Sequence, residues 1–187
     1  MKVWGRRYEI LTRDAAEFDL ALKLRGGAAS FGEVYSFISG LYFRGKMAYV
    51  ARFASRALVI VAGRGLVAPE TIVTMEELRA IANIDIHEQN QVYLGPLLRD
   101  AARIDSHVVL LGSIASDKYT RPLLDIFGDR LLFPEAFVGR GDMSRGGLML
   151  RCAASGEELS YIPVRNAVRR GVRPPRLEKI NVSRISS

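Results

Sequence analysis

Two kinds of apolar run alternate along the chain: some recur at three- and four-residue intervals among charged positions, and others are short and unbroken. Residues 14–25, DAAEFDLALKLR, begin with an aspartate able to cap a helix. They bring Phe18, Leu20, Ala21, Leu22 and Leu24 close together, which predicts a helix stopped by Gly26-Gly27. FGEVYSFISGLYFRGKMAYVARFA, residues 31–54, reads as two helical stretches hinged between Gly40 and Gly45. Thr74 followed by Glu77 predicts a capped helix start over TMEELRAIAN. Residues 91–104 place Tyr93, Leu97, Leu98 and Ala101 at helical spacing. DKYTRPLLDIFG (117–128) and LMLRCAAS (148–155) complete the helical set.

The unbroken runs are ALVIVA (57–62), HVVLLG (107–112), RLLFP (130–134) and ELSYIP (158–163). Such runs are too short for free helices and read as strands buried on both faces. Strands separated by helices predict the α/β class. The expectation is a single three-layer domain over residues 1–163, with a mainly parallel central sheet of about four strands and helices on both faces. Its N-terminal helical part covers about 14–55, and a basic extended tail follows at 164–187. In parallel sheets, ligands bind beyond the carboxyl ends of the strands. Three strand ends carry glycine turns: Gly63-Arg64-Gly65, Gly112-Ser113 and Gly139-Arg140-Gly141. They are expected to converge on one rim.

Composition narrows the partners. A hydrophobic fraction of 49% is ample for a packed core. No apolar run approaches the ~20 residues that span a bilayer, so no membrane partner is expected. The start, MKVWGRRYEI, lacks the apolar stretch and cleavage site of a secretory signal. Cys152 is the only cysteine, which excludes an intrachain disulfide, and a zinc site built on His87 and His107 would need carboxylates that show no ligand-like spacing. A cytoplasmic protein with no metal and no cofactor is expected.

The net charge is +7, but it is unevenly placed. From Val164 to Ser187 there are seven basic residues (Arg165, Arg169, Arg170, Arg173, Arg176, Lys179 and Arg184) against one acid, Glu178, leaving 20 basic and 19 acidic groups on the rest. Composition therefore gives the body no basic footprint. The tail, with Pro174-Pro175 and few large apolar groups, reads as an extended arm: solvated, laid on a second copy of the chain, or bound to nucleic-acid phosphate.

Several motifs invite specific chemistry. GLYFRGK, residues 40–46, satisfies G-x-x-x-x-G-K, yet Met47 stands where a phosphate-binding loop needs Ser or Thr for magnesium, and Tyr42, Phe43 and Arg44 are bulky where backbone amides should be open. A nucleoside-triphosphatase loop is excluded, leaving Arg44 and Lys46 as candidate anion contacts. GRGLVA, residues 63–68, matches a dinucleotide fingerprint with Asp85 at the ribose-acid distance, but Pro69 and a β-branched run follow instead of a helix. Arg140-Gly141-Asp142 spells an adhesion tripeptide by coincidence.

VGRGDMSRGG, residues 138–147, has a physical rationale as a ligand loop. Its glycines allow close backbone approach. Ser144 can cap the following helix, whose amino end favours an anion, and Arg140 and Arg145 supply planar donors for phosphate or carboxylate. SDKYTRP, residues 116–122, adds Asp117 and Lys118 near the same rim, with Tyr119 to stack on a planar ring, and Glu135 contributes a further carboxylate.

VIVAGRGLVAPETIV followed by GSIASDKYTRPLLDIFGDRLLFP and the GRG turn resembles bacterial domains of unestablished function with a glycosylase-like α/β fold, over about residues 58–150. No G-Q-D-P-Y-like run, the water-activating signature of uracil-DNA glycosylases, is present. The resemblance implies hydrolysis of an N-glycosidic bond in a nucleoside, nucleotide or nucleic acid. The residues supply candidates: Asp142 as the carboxylate, with Glu135 or Asp117 as substitutes. Arg140, Arg145, Arg44 and Lys46 would hold phosphate, Tyr119 or Tyr42 would stack on the base, and Ser113, Ser144, Lys118 and Arg64 would complete the rim. The alternatives are a non-catalytic nucleotide or nucleic-acid binder and an assembly subunit whose tail wraps a neighbouring copy.

Overall fold

The computed structural model describes residues 5–177. Residues 1–4 and 178–187, which hold the start MKVW and the tail positions Glu178, Lys179 and Arg184, lie outside them. Helices dominate: α1 (Arg6–Leu11), α2 (Asp19–Arg25), α3 (Phe31–Ser39), α4 (Leu41–Phe53), α5 (Met75–Ala82), α6 (Gln91–Ala101), α7 (Asp117–Phe127) and α8 (Asp142–Ser155). Their starts follow side-chain chemistry. Ser30 and Glu33 form a reciprocal capping box on α3, Thr74 accepts from the Glu77 amide, and Asn90 accepts from the Val92 amide, each satisfying a backbone donor that a helix start leaves open.

The strands are short: β1 (Ala29–Ser30), β2 (Val59–Val61), β3 (Gly65–Val67), β4 (Ile72–Val73), β5 (Val108–Val109), β6 (Leu131–Pro134) and β7 (Tyr161–Pro163). They form three separate small sheets, β1-β4, β2-β3 and β5-β6-β7. This overturns the expected four-stranded parallel sheet: among the described residues, only β5 and β6 run parallel. The cause is local. Gly63 and Gly65, at φ 76° and 85°, turn β2 straight back into β3, so ALVIVA becomes one arm of an antiparallel hairpin. ELSYIP likewise returns antiparallel to β6, with Phe133 opposite Ile162.

The core is organised instead by two crossing helices. Along α4, Tyr42, Phe43, Gly45 and Tyr49 are buried, and along α8, Arg145, Gly146, Met149 and Cys152 are. These positions, three or four residues apart, form one stripe on each helix. The stripes meet at Gly45 and Gly146, backbone against backbone. A Cβ on Gly146 would stand 2.6 Å from the Leu41 carbonyl oxygen and 2.8 Å from the Tyr42 Cα, and one on Gly45 would stand 2.5 Å from the Gly146 oxygen. The G-x-x-x-x-G-K run thus serves a helix crossing: its first glycine is the break between α3 and α4, at φ 58°, and its second is the contact point. At the far end of α4 the Tyr49 hydroxyl lies 2.5 Å from that of Tyr161 and accepts from the Leu159 amide, tying the crossing to β7.

Replacing Gly146 with Ala is expected to destabilise the protein by about 1–3 kcal/mol, because the helices must separate to admit the methyl group. Gly147→Ala is the control: its Cβ meets only the Arg151 guanidinium and the Leu177 side chain, and helix propensity should offset or exceed the difference, by up to about 1 kcal/mol. Urea denaturation of the two variants measures the contrast; equal stabilities would contradict the crossing.

Candidate functional site

Because α4 and α8 touch at glycines, the residues flanking those glycines are brought side by side. Tyr42 and Lys46 come from α4, and Asp142 and Arg145 from α8. Arg145 is 8% exposed. Its Nε and Nη2 both donate to the Phe137 carbonyl at 3.2 and 3.1 Å, and its guanidinium stands 5.5 Å from the Phe137 ring centroid. Lys46 is partly buried, with Nζ 4.1 Å from the Tyr42 ring centroid, a cation–π contact. Desolvation lowers its pKa to about 8; the field of Asp142 opposes that shift and the field of Arg145 adds to it.

The strand turn at Gly112-Ser113 joins this cluster. The Tyr42 hydroxyl donates to the Leu111 carbonyl at 3.2 Å, and the Tyr119 hydroxyl accepts from the Ser113 amide at 3.0 Å. Burial raises both phenols, Tyr42 to about 12, against the lowering influence of the neighbouring Arg145. The field of Asp142 reaches Tyr42, Lys46 and Tyr119 alike. Asp142 is solvent-exposed, and among the described residues it makes no ion pair, as do neither Lys46 nor Arg145. A buried and a partly buried cation therefore act on one another, and among the described residues neither pairs with the exposed carboxylate whose field reaches Lys46.

The remaining expected residues divide. Arg140 is occupied structurally, donating to the Ala136 carbonyl, the Ser144 hydroxyl and the Pro175 carbonyl. Ser144 does not cap α8; Gly141 holds that position, because the helix begins at Asp142, six residues before the apolar run LMLRCAAS. Asp117 pairs with Arg169 at 2.6 Å, Lys118 is exposed in the same first turn of α7, and Glu135 is exposed beyond β6. Arg64 and Arg44 are not brought to the cluster. Arg64 pairs with Glu77 and stands over the Phe31 ring. Arg44, two residues from Tyr42 and hence across α4 at ~100° per residue, lines an open depression of about 370 Å³ with Glu33, Met47 and Glu70. Of the three glycine turns, two share a rim.

Two contributors carried no chemical signal in the sequence. Phe137 supplies the carbonyl and the ring that hold Arg145. Tyr93, 1% exposed, keeps a hydroxyl with no hydrogen-bond partner among the described residues, and burial raises its phenol; its helical spacing marked it only as core. No protein-family model matches the chain, and no curated protein or solved structure matches it either.

The Lys46 amine sets a pH dependence. Its folded pKa, about 8, lies below the unfolded value of 10.5. Between these two pH values the unfolded chain binds more protons, so stability rises with pH across the window. Relative to Lys46→Met, the wild type should gain stability from pH 8 to 10.5, measured by urea denaturation; parallel curves for the two proteins would show that the amine is solvated.

Proposed function

We propose that the α4–α8 crossing binds a phosphorylated, nucleotide-like small molecule and that Asp142 equips it for hydrolysis of an N-glycosidic bond. The observation that carries the reading is the pair of desolvated cations, Lys46 and Arg145, beside an unpaired carboxylate. Like charges withdrawn from water destabilise one another, and a bound anion reverses the sign of that interaction. A phosphate between them raises the Lys46 pKa back toward its ordinary value. Asp142 stands at the first position of α8. It is exposed to incoming water, which it would orient toward the sugar carbon while its charge stabilises the cationic sugar of the transition state. Tyr119 and Tyr42 border the base.

Binding comes first and is separable from turnover. A thermal-shift screen with nucleotides, nucleosides and sugar phosphates should pick out phosphorylated compounds, since ligand at a hundredfold excess over Kd stabilises by ~2.7 kcal/mol. Lys46→Met should abolish the shift. Asp142→Asn should retain binding and lower base release by ~10²–10⁴. Phosphate-dependent shifts with no base release from any nucleotide would leave a non-catalytic binder; no shift with any phosphorylated compound would end the reading altogether. A cytoplasmic setting belongs to the same proposal and accords with Cys152 as a buried free thiol.

A further inference from the structure

The segment after β7 runs along the first turns of α7 and α8. It is fastened at both ends. Arg169 pairs with Asp117 on α7, and the Pro175 carbonyl accepts from Arg140, which also holds Ser144 in the first turn of α8. Between these anchors the segment lies tightly on residues 138–139. A Cβ on Gly139 would stand 2.0 Å from the Val172 carbonyl oxygen and 3.1 Å from the Pro174 Cδ, and one on Gly171 would stand 2.3 Å from the Val138 side chain. Leu177 approaches Gly147.

The contacts have a period. Gly171, Pro174 and Leu177 are half-buried against the body, while Val172 and Pro175 approach it through their carbonyls and keep exposed side chains. Arg170, Arg173 and Arg176 are exposed, and none has an ion pair or hydrogen bond among the described residues. Pro174-Pro175 favour an extended conformation that repeats every three residues at ~3.1 Å per residue, which spaces the arginines about 9 Å apart along one edge. Their backbone is already held, so binding a partner orders only the side chains and the entropy lost is small. Guanidinium groups in a row, facing water, on a chain whose first 163 residues are nearly balanced in charge, match a regularly spaced row of phosphates.

We propose that Arg170, Arg173 and Arg176 form a ladder that binds the phosphodiester backbone of a nucleic acid. The proposal is independent of any chemistry at Lys46 and Asp142. It places a bound strand along the rim on which the first turn of α8 opens.

Anisotropy titrations of the full chain with a labelled 20-nucleotide DNA strand, and with the matching duplex, at several salt concentrations test the ladder. Wild type should bind with an affinity that falls steeply with salt. The triple variant Arg170→Gln, Arg173→Gln, Arg176→Gln should bind more weakly, and its slope of log affinity against log salt should be shallower by about 2 to 3. Replacing all three with Lys should restore most of the slope. Since the three side chains are exposed and make no ion pair or hydrogen bond among the described residues, the unfolding midpoint of the Gln variant should equal that of wild type. An unchanged slope in the Gln variant, a lowered midpoint, or binding to anionic phospholipid vesicles without binding to either oligonucleotide would each overturn the proposal. Base release without oligonucleotide binding would overturn the ladder alone; salt-dependent oligonucleotide binding without base release would support the ladder and count against hydrolysis.

Discussion

Everything about this fold follows from two backbones that touch. Helices normally pack with their axes 8–10 Å apart because side chains fill the space between them. At Gly45 and Gly146 nothing fills it, and Leu41, Tyr42 and Gly146 meet main chain to main chain. Removing two side chains forfeits apolar burial at that point. It gains close dispersion contact along the flanking stripes, where Phe43, Tyr49, Met149 and Cys152 are buried. The crossing also decides the chemistry. Lys46 follows one of the contact glycines and Arg145 precedes the other, so the helices cannot approach without bringing two cations together.

That enforced proximity is unfavourable by itself. Burying a charge without a partner is destabilising, and here the compensation is partial. Arg145 is satisfied by one carbonyl, one aromatic ring and a side-chain interaction with Tyr42, Lys46 by a tyrosine face, and the carboxylate of Asp142 is exposed. A fold selected for stability alone would place Leu or Met at position 46, since an apolar group there would remove the desolvation that lowers the amine's pKa. Perturbation of this kind accompanies functional sites and structural charge networks alike; here it falls beside the bonds that join Tyr42 to Leu111 and Tyr119 to Ser113.

Helix ends were legible at Thr74, Gly26 and Gly128, but the cap expected at Asp14 does not form: α2 begins at Asp19 behind Phe18, and Asp14 pairs with Arg79. The Ser30–Glu33 box carries the same signal in SFGE and marks the start of α3. Sheet order was not legible. An apolar run of five or six residues records burial, and burial is the same for a parallel central strand as for a hairpin arm under a helix. The turn that separates the two cases, Gly63-Arg64-Gly65, looks like a ligand loop when only its composition is read. The site was half legible for a related reason. Asp142, Arg145, Lys46, Tyr42, Tyr119 and Ser113 drew attention as reactive types, but the link among the two helices lies in two glycines whose role is visible only when they meet.

Charge shows how much a sum conceals. The excess of the tail suggested one electrostatic role for all its arginines, yet they act differently. Arg165 and Arg169 are neutralised by Asp129 and Asp117 and fix the path of the segment. Such exposed pairs contribute at most about 1 kcal/mol each, so their effect is chiefly to set direction. Glycines at 139 and 171 then admit the segment to within contact of the 138–139 backbone, and the prolines hold it extended. Only after those constraints are met does the three-residue repeat leave Arg170, Arg173 and Arg176 together on the outer edge. An arm free in solvent would carry the same charge but would have to be ordered when it bound; one laid down by two ion pairs and two glycines presents its guanidinium groups in advance.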